Sequence, residues 1–222
     1  LNSFHDVNAL VEWIGTEQSV TVGGKPDLLK PAFVPDLLFP FAAPRVRGTL
    51  AEAGADAEAQ MRLLLWSVEK LIAGLSALGA DTHVGHRLHV VLPGSPNRGR
   101  FGGDGAYGEA KAAFDALVQR WHSEQAAWGA RTSLVHALIG WVRGTGLMAG
   151  NDPLVEQVEA RGVSTYSAKD MAIQLVDSAA NDQALFRAAD GPLTMDFTGG
   201  LAEADLDLAA LARDAALVDV PP

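Results

Sequence analysis

Two stretches, HRLHVVLPG at 86–94 and RTSLVHALIGW at 131–141, are apolar at nearly every position rather than at every second one. A strand written this way has no solvent face. It must be covered on both sides, as strands of a parallel sheet are. Between them, residues 106–124 place Ala110, Ala113, Phe114, Leu117, Val118 and Trp121 on one side of a helix. Upstream, residues 57–78 repeat the pattern with Met61, Leu64, Leu65, Val68, Leu71, Ile72 and Leu75. Parallel strands need a crossover, and an intervening helix supplies it.

The rest of the chain fits that plan. PDLLFPFAA at 35–43 predicts a buried strand bounded by prolines, and PLTMDF at 192–197 a last strand. Residues 6–17 predict a short helix capped by Asp6, and 152–160 and 168–179 predict two more. Residues 19–34 read as a loop or hairpin. From 201 the chain is acidic and alanine-rich, with ALARDAALV a final helix. The expected fold is α/β: a three-layer, doubly wound, mostly parallel sheet over 1–201, followed by an acidic helix or linker at 202–222.

One element is missing from a dinucleotide-binding plan. Such folds open with a strand, a glycine-rich turn and a helix, and no G-x-G-x-x-G follows a strand here. GGDG at 102–105 has the wrong spacing, and GTG at 144–146 holds only two of the glycines. Either the chain binds no dinucleotide, or it begins after the phosphate-binding half. A helix at 6–17 with no strand before it favours the second.

Composition narrows the function. With 222 residues and 48% hydrophobic content, the chain can build a real core. It has no cysteine, which excludes disulfides and thiol chemistry. The net charge of −10 argues against a nucleic-acid surface, and the pairs Arg45/Arg47 and Arg98/Arg100 form no basic stripe. Neither a signal peptide nor an apolar span is present, so the expected compartment is the cytoplasm. No metal is expected: His86 and His89, three apart as a strand begins, point to opposite faces. Trp66, Trp121, Trp128 and Trp141 read as packing anchors.

The chemistry concentrates in SPNRGRFGGDGAYGEAK, residues 95–111. Ser95 lies just past a parallel strand, at the functional edge of such sheets. Tyr107 and Lys111, four apart, share one face of the next helix, with Asp104 placed to cap it. An ammonium beside a phenol stabilises the phenolate, so the pair predicts a tyrosine pKa below its usual value of about 10. Tyr107 is then the candidate general acid, with Ser95 donating to the same substrate oxygen.

Ser95, Tyr107 and Lys111 resemble the active site of short-chain dehydrogenases/reductases. The wider text, LPGSPNRGRFGGDGAYGEAK, RWHSEQ at 120–125, IGWVRGTGLM at 139–148, PFAA at 40–43 and PLTMDFTGGL at 192–201, resembles the β-ketoacyl reductase domain of type I fatty acid synthases. The resemblance implies NADPH-dependent reduction of a 3-oxoacyl group on acyl carrier protein, within a large oligomer of synthase domains. It implies that Tyr107 donates the proton, Lys111 holds the nicotinamide ribose and Ser95 positions the carbonyl. Thr145 either approaches the nicotinamide carboxamide or caps its turn. Phe41, Ala42 and Ala43 either line the adenosine side or pack the strand. Ser67 stands where the family usually has asparagine, and Ile139-Gly140 where it has proline-glycine. Residues 1–201 are then a partial reductase domain, expected to be inactive alone; the alternative is a structural module without turnover.

Overall fold

The computed structural model describes residues 1–148 and 150–218. Helix α1 (Phe4–Gly15) starts two residues earlier than expected, because Ser3 rather than Asp6 caps it: the Ser3 hydroxyl accepts from the Asp6 backbone N–H at 3.1 Å. Strands β1 (Gln18–Val22) and β2 (Lys25–Lys30) then form an antiparallel hairpin. The expected strand at 35–43 shrinks to β3 (Leu37–Leu38). It lies at the sheet edge and is half-exposed. Pro35 and Pro40 flank it and have no backbone donor for a longer ladder.

The long helix between β3 and the next strand runs from α2 (Ala55–Met61) through a wide π turn at Arg62–Trp66 into α3 (Ser67–Ala77). Strand β4 (Leu88–Gly94), helix α4 (Tyr107–Ser123) and strand β5 (Thr132–Ile139) follow as the spacing predicts. The apolar stretch at 131–141 is not one strand. The chain breaks at Gly140 and resumes as β6 (Trp141–Arg143), which pairs with β7 (Thr165–Ser167) outside the main sheet. A Cβ on Gly140 would lie 2.1 Å from the Thr198 carbonyl oxygen, so two backbones touch there and only glycine fits. Helix α5 (Val155–Glu159) precedes β7; helices α6 (Ala168–Ala179) and α7 (Asp182–Ala188), strand β8 (Leu193–Phe197) and helix α8 (Leu208–Val218) complete the order.

The main sheet runs β3-β4-β5-β8, parallel throughout. Alternate residues of each strand serve opposite layers. Leu88, Val90, Leu92 and Leu134 meet Val7, Leu64, Leu71, Phe114 and Trp121 of the α1–α4 layer. Val91, Val135 and Ala137 meet Met171, Leu175 and Ala188 of the α6–α7 layer. The expected three layers are therefore present. His89 is paired within the core: its ring lies 2.8 Å from the Ser133 hydroxyl and 2.7 Å from the Ala179 carbonyl, and burial holds its pKa down. Trp121 and Trp141 are buried anchors, whereas Trp66 is 36% exposed on the π turn. A third cluster joins Trp141, Leu154, Val158 and Val163 to Leu201, Leu206 and Leu211, which docks the C-terminal segment onto the body.

Candidate active site

Ser95 follows β4 directly, and Tyr107 opens α4, so the 95–106 loop connects the sheet edge to the helix start. This loop is held at many points. The Ser95 hydroxyl accepts from the Asn97 N–H at 3.1 Å, and the Asn97 side-chain oxygen accepts from the Gly99 N–H at 3.0 Å. Asp104 does not cap the helix as expected. Its carboxylate accepts from the Asn97 side-chain amide instead, cross-linking the two ends of the loop. Arg98 pairs with Asp115 at 2.9 Å.

The helix start is satisfied from another element. Gln60, 2% exposed on α2, accepts from the Ala106 N–H at 2.8 Å through its side-chain oxygen and donates to the Arg47 carbonyl at 3.2 Å. Gly105, at φ +58°, lets this happen: an added Cβ would lie 2.5 Å from the Gln60 oxygen and 2.6 Å from the Arg47 carbonyl oxygen. Gly105→Ala is accordingly expected to destabilise the fold by at least about 1–2 kcal/mol from left-handed backbone strain alone. Displacement of Gln60 adds to that, and urea unfolding measures the total.

Lys111 is the most perturbed group of the site. It is 4% exposed, and its ammonium donates to the Pro93 carbonyl at 2.6 Å. Its Nζ lies 5.4 Å from the Tyr107 ring centre and 5.2 Å from that of Phe114. Burial pushes its pKa down to about 7. The tyrosine goes the other way from the sequence expectation. Burial raises the Tyr107 pKa; the hydrogen bond with Ser95 opposes this, and Asp104 adds to it. The lysine is engaged with Pro93 and carries a weakened charge, so it does not offset the loss of water around the phenol. Tyr107 is therefore held protonated.

Behind the pair sits His136 of β5, 2% exposed, with its Nδ1 3.5 Å from Asp115. Its Nε2 has no hydrogen-bond partner among the described residues. A Cβ on Gly94 would lie 2.3 Å from that nitrogen, so the glycine before Ser95 makes room for the imidazole. Burial lowers its pKa, with Asp115 opposing and Arg98 and Lys111 assisting.

The remaining positions divide. Phe41 is 39% exposed and meets Phe39 edge-on at 5.7 Å; Ala42 and Ala43 are exposed too, beyond the C-terminal end of β3. They do not pack a strand. The Thr145 hydroxyl donates to the Val142 carbonyl at 3.0 Å and so closes its own turn. Ser67 does not turn to Lys111; it is buried, and its hydroxyl donates to the Leu1 carbonyl at 2.7 Å. Sequence reasoning missed Gln60, Asn97 and His136. Gln60 had a signal, a polar residue on the stripe continued by Leu64, Leu71 and Leu75. Asn97 before Gly99 marks an Asx turn.

The curated relatives decide the kinship. Over 205 residues the chain is 36% identical to fatty acid synthase subunit alpha of Saccharomyces cerevisiae, covering 90% of this chain. The chain is a homologue of fungal fatty acid synthase alpha subunits. It is 34% identical over 201 residues to the alpha subunit of Cochliobolus carbonum. It spans only 10% of the first relative's length and 12% of the second's. Solved structures give the fold. A 3-oxoacyl-[acyl-carrier protein] reductase from Brucella melitensis in complex with NAD superposes with TM-score 0.68 at 19% identity, covering 92% of this chain and 76% of that one. A short chain dehydrogenase/reductase family protein superposes with TM-score 0.59 at 18% identity over 91% of this chain and 74% of that one. The architecture is thus Rossmann-like, with part of that fold present as a four-stranded parallel sheet. No family profile matches the chain.

Proposed function

We propose that this chain is the catalytic part of a 3-oxoacyl reductase within a fatty acid synthase, reducing a 3-oxoacyl group on acyl carrier protein with NADPH. The observation that carries the reading is the meeting of Ser95, a protonated Tyr107 and a buried Lys111 at the carboxyl end of β4. Kinship with synthase alpha subunits points to the substrate class.

The residues present fit the nicotinamide end of the cofactor. An ammonium has three donors, and Pro93 takes one from Lys111, leaving two for ribose hydroxyls. Exposed Phe41, Ala42 and Ala43 lie past the C-terminal end of β3, at the same end of the sheet as Ser95, and suit the adenosine side. Thr145, beyond β6, is the candidate for the carboxamide. Among the described residues no glycine-rich phosphate turn follows a strand. When bound, the reduced nicotinamide supplies the hydride.

The protein's share is proton delivery and charge stabilisation. As the substrate carbonyl oxygen gains charge, the Tyr107 hydroxyl gives it a proton and the Ser95 hydroxyl donates a hydrogen bond. Lys111 holds its charge below about pH 7, where it can steady the phenolate left behind. Carrier protein and the other synthase domains, in a large oligomer, are the partners this reading requires. Ser95→Ala is expected to lower kcat about 10²-fold, read from nicotinamide absorbance in the full-length protein. A structural module without turnover is favoured by Ser67, whose hydroxyl is spent on Leu1. Full-length wild-type protein that oxidises no NADPH with 3-oxoacyl carrier protein would establish that alternative.

A further inference from the structure

The 95–106 loop is fastened to three different parts of the molecule. Gln60 and Gly48 hold its end, where Gly48 exchanges 2.9 Å backbone bonds with Gly103 and Gly105, and Arg98 holds its beginning to α4. The third is its tip. The Arg100 guanidinium donates to the Ala202 carbonyl at 2.6 Å and to the Ala204 carbonyl at 2.7 Å. The adjoining Phe101 ring packs against the third apolar cluster, as do Met148, Ala204 and Leu208.

A planar guanidinium with two forked donors suits two nearby carbonyls, and a charged donor roughly doubles the strength of each bond. The carbonyls belong to the turn that follows β8 and leads into α8. That turn is itself anchored by Leu201 and Leu206 against Trp141, the first residue after the Gly140 break. Met148, on the Thr145 side, touches the same cluster. One apolar cluster therefore ties together the Ser95–Tyr107 loop, the loop bearing Thr145 and the C-terminal segment.

We propose that Arg100 is a positioning residue of the reductase site, latching the Ser95–Tyr107 loop to the C-terminal segment so that both hydroxyls are held on one substrate oxygen. The inference rests on the reductase reading above. Arg100 touches neither Ser95 nor Tyr107. It acts by fixing the loop tip, and Phe101 does so through apolar contact. Cofactor contacts assigned to Lys111 lie on α4 and are independent of the latch.

The test is Arg100→Ala and Arg100→Lys in the full-length protein, with two readouts. Hydrogen–deuterium exchange at residues 97–105 is expected to rise at least about tenfold in the alanine variant, as expected for a local opening eased by the loss of two charged hydrogen bonds. The KM for 3-oxoacyl carrier protein is expected to rise about tenfold while the NADPH affinity stays unchanged, since the same ordering must then be supplied on substrate binding. Arg100→Lys, which keeps the charge and loses the fork, is expected to fall between. Unchanged exchange overturns the latch. Faster exchange with an unchanged oxoacyl KM overturns its positioning role, as does an equal loss of NADPH affinity. If wild-type protein reduces nothing, the reductase reading falls and with it the positioning role; the exchange measurement still decides whether the latch exists.

Discussion

Tyr107→Phe is expected to lower kcat/KM for 3-oxoacyl reduction by about a thousandfold, the scale of a lost general acid. The side chain stays in place, because its ring packs on the α1–α4 core and only the hydroxyl is removed. Stability should therefore change by no more than about 1 kcal/mol, one hydrogen bond's net worth. The raised pKa of Tyr107 makes the argument directional: a phenol held protonated is ready to give a proton, which is what reduction demands. Thermal melting and nicotinamide absorbance on the same samples separate the two effects. Turnover within tenfold of wild type would remove Tyr107 from the role of acid.

Lys111→Met is expected to move activity and stability in opposite directions. Reduction should fall at least about 10²-fold, since ribose contacts and the charge beside the phenol both vanish. Stability at pH 7 should rise, by an amount on the order of a few kcal/mol. Burial holds the folded-state pKa at about 7, well below that of an unfolded lysine. Between about pH 7 and pH 10 the unfolded chain therefore carries a proton that the folded chain lacks. Wild-type stability consequently increases with pH across that window, and the methionine variant lacks this slope. The gap between the two should close as pH rises, less about 1 kcal/mol for the lost bond to Pro93. Urea midpoints at several pH values check the sign; a variant less stable than wild type at pH 7 would refute it. Activity should fall in the wild type as pH rises through the lysine pKa.

The layers were readable in the sequence because β4 and β5 are apolar on both faces and α4 on one. That pattern has no other stable use in a chain of this size. What the sequence hid were backbone events. Gly140 looks like one more residue of an apolar run, yet it ends β5 because the Thr198 backbone lies against it. The 35–43 segment is apolar enough for a buried strand, but its prolines and its edge position leave two paired residues. At the site, residue types and spacing located Ser95, Tyr107 and Lys111, but not the direction of their pKa values. Those depend on burial and on the Pro93 carbonyl, which no spacing rule contains. Gln60 lies 46 residues from the N–H it accepts from, so its role shows only as a misplaced polar residue.

The all-parallel order β3-β4-β5-β8 also governs how the chain reaches this state. Each pairing joins strands separated by a whole helix, and the last strand ends at Phe197. Contacts so distant in sequence form slowly. At a synthesis rate of roughly 5–20 residues per second, the sheet waits on the order of ten seconds or more between emergence of its first strand and its last. Until α6 and α7 emerge, Val91 and Val135 have no layer to cover them on that face of the sheet. The same two-faced apolarity that fixes the final architecture therefore leaves an apolar sheet face open to unwanted contacts while the protein is being made.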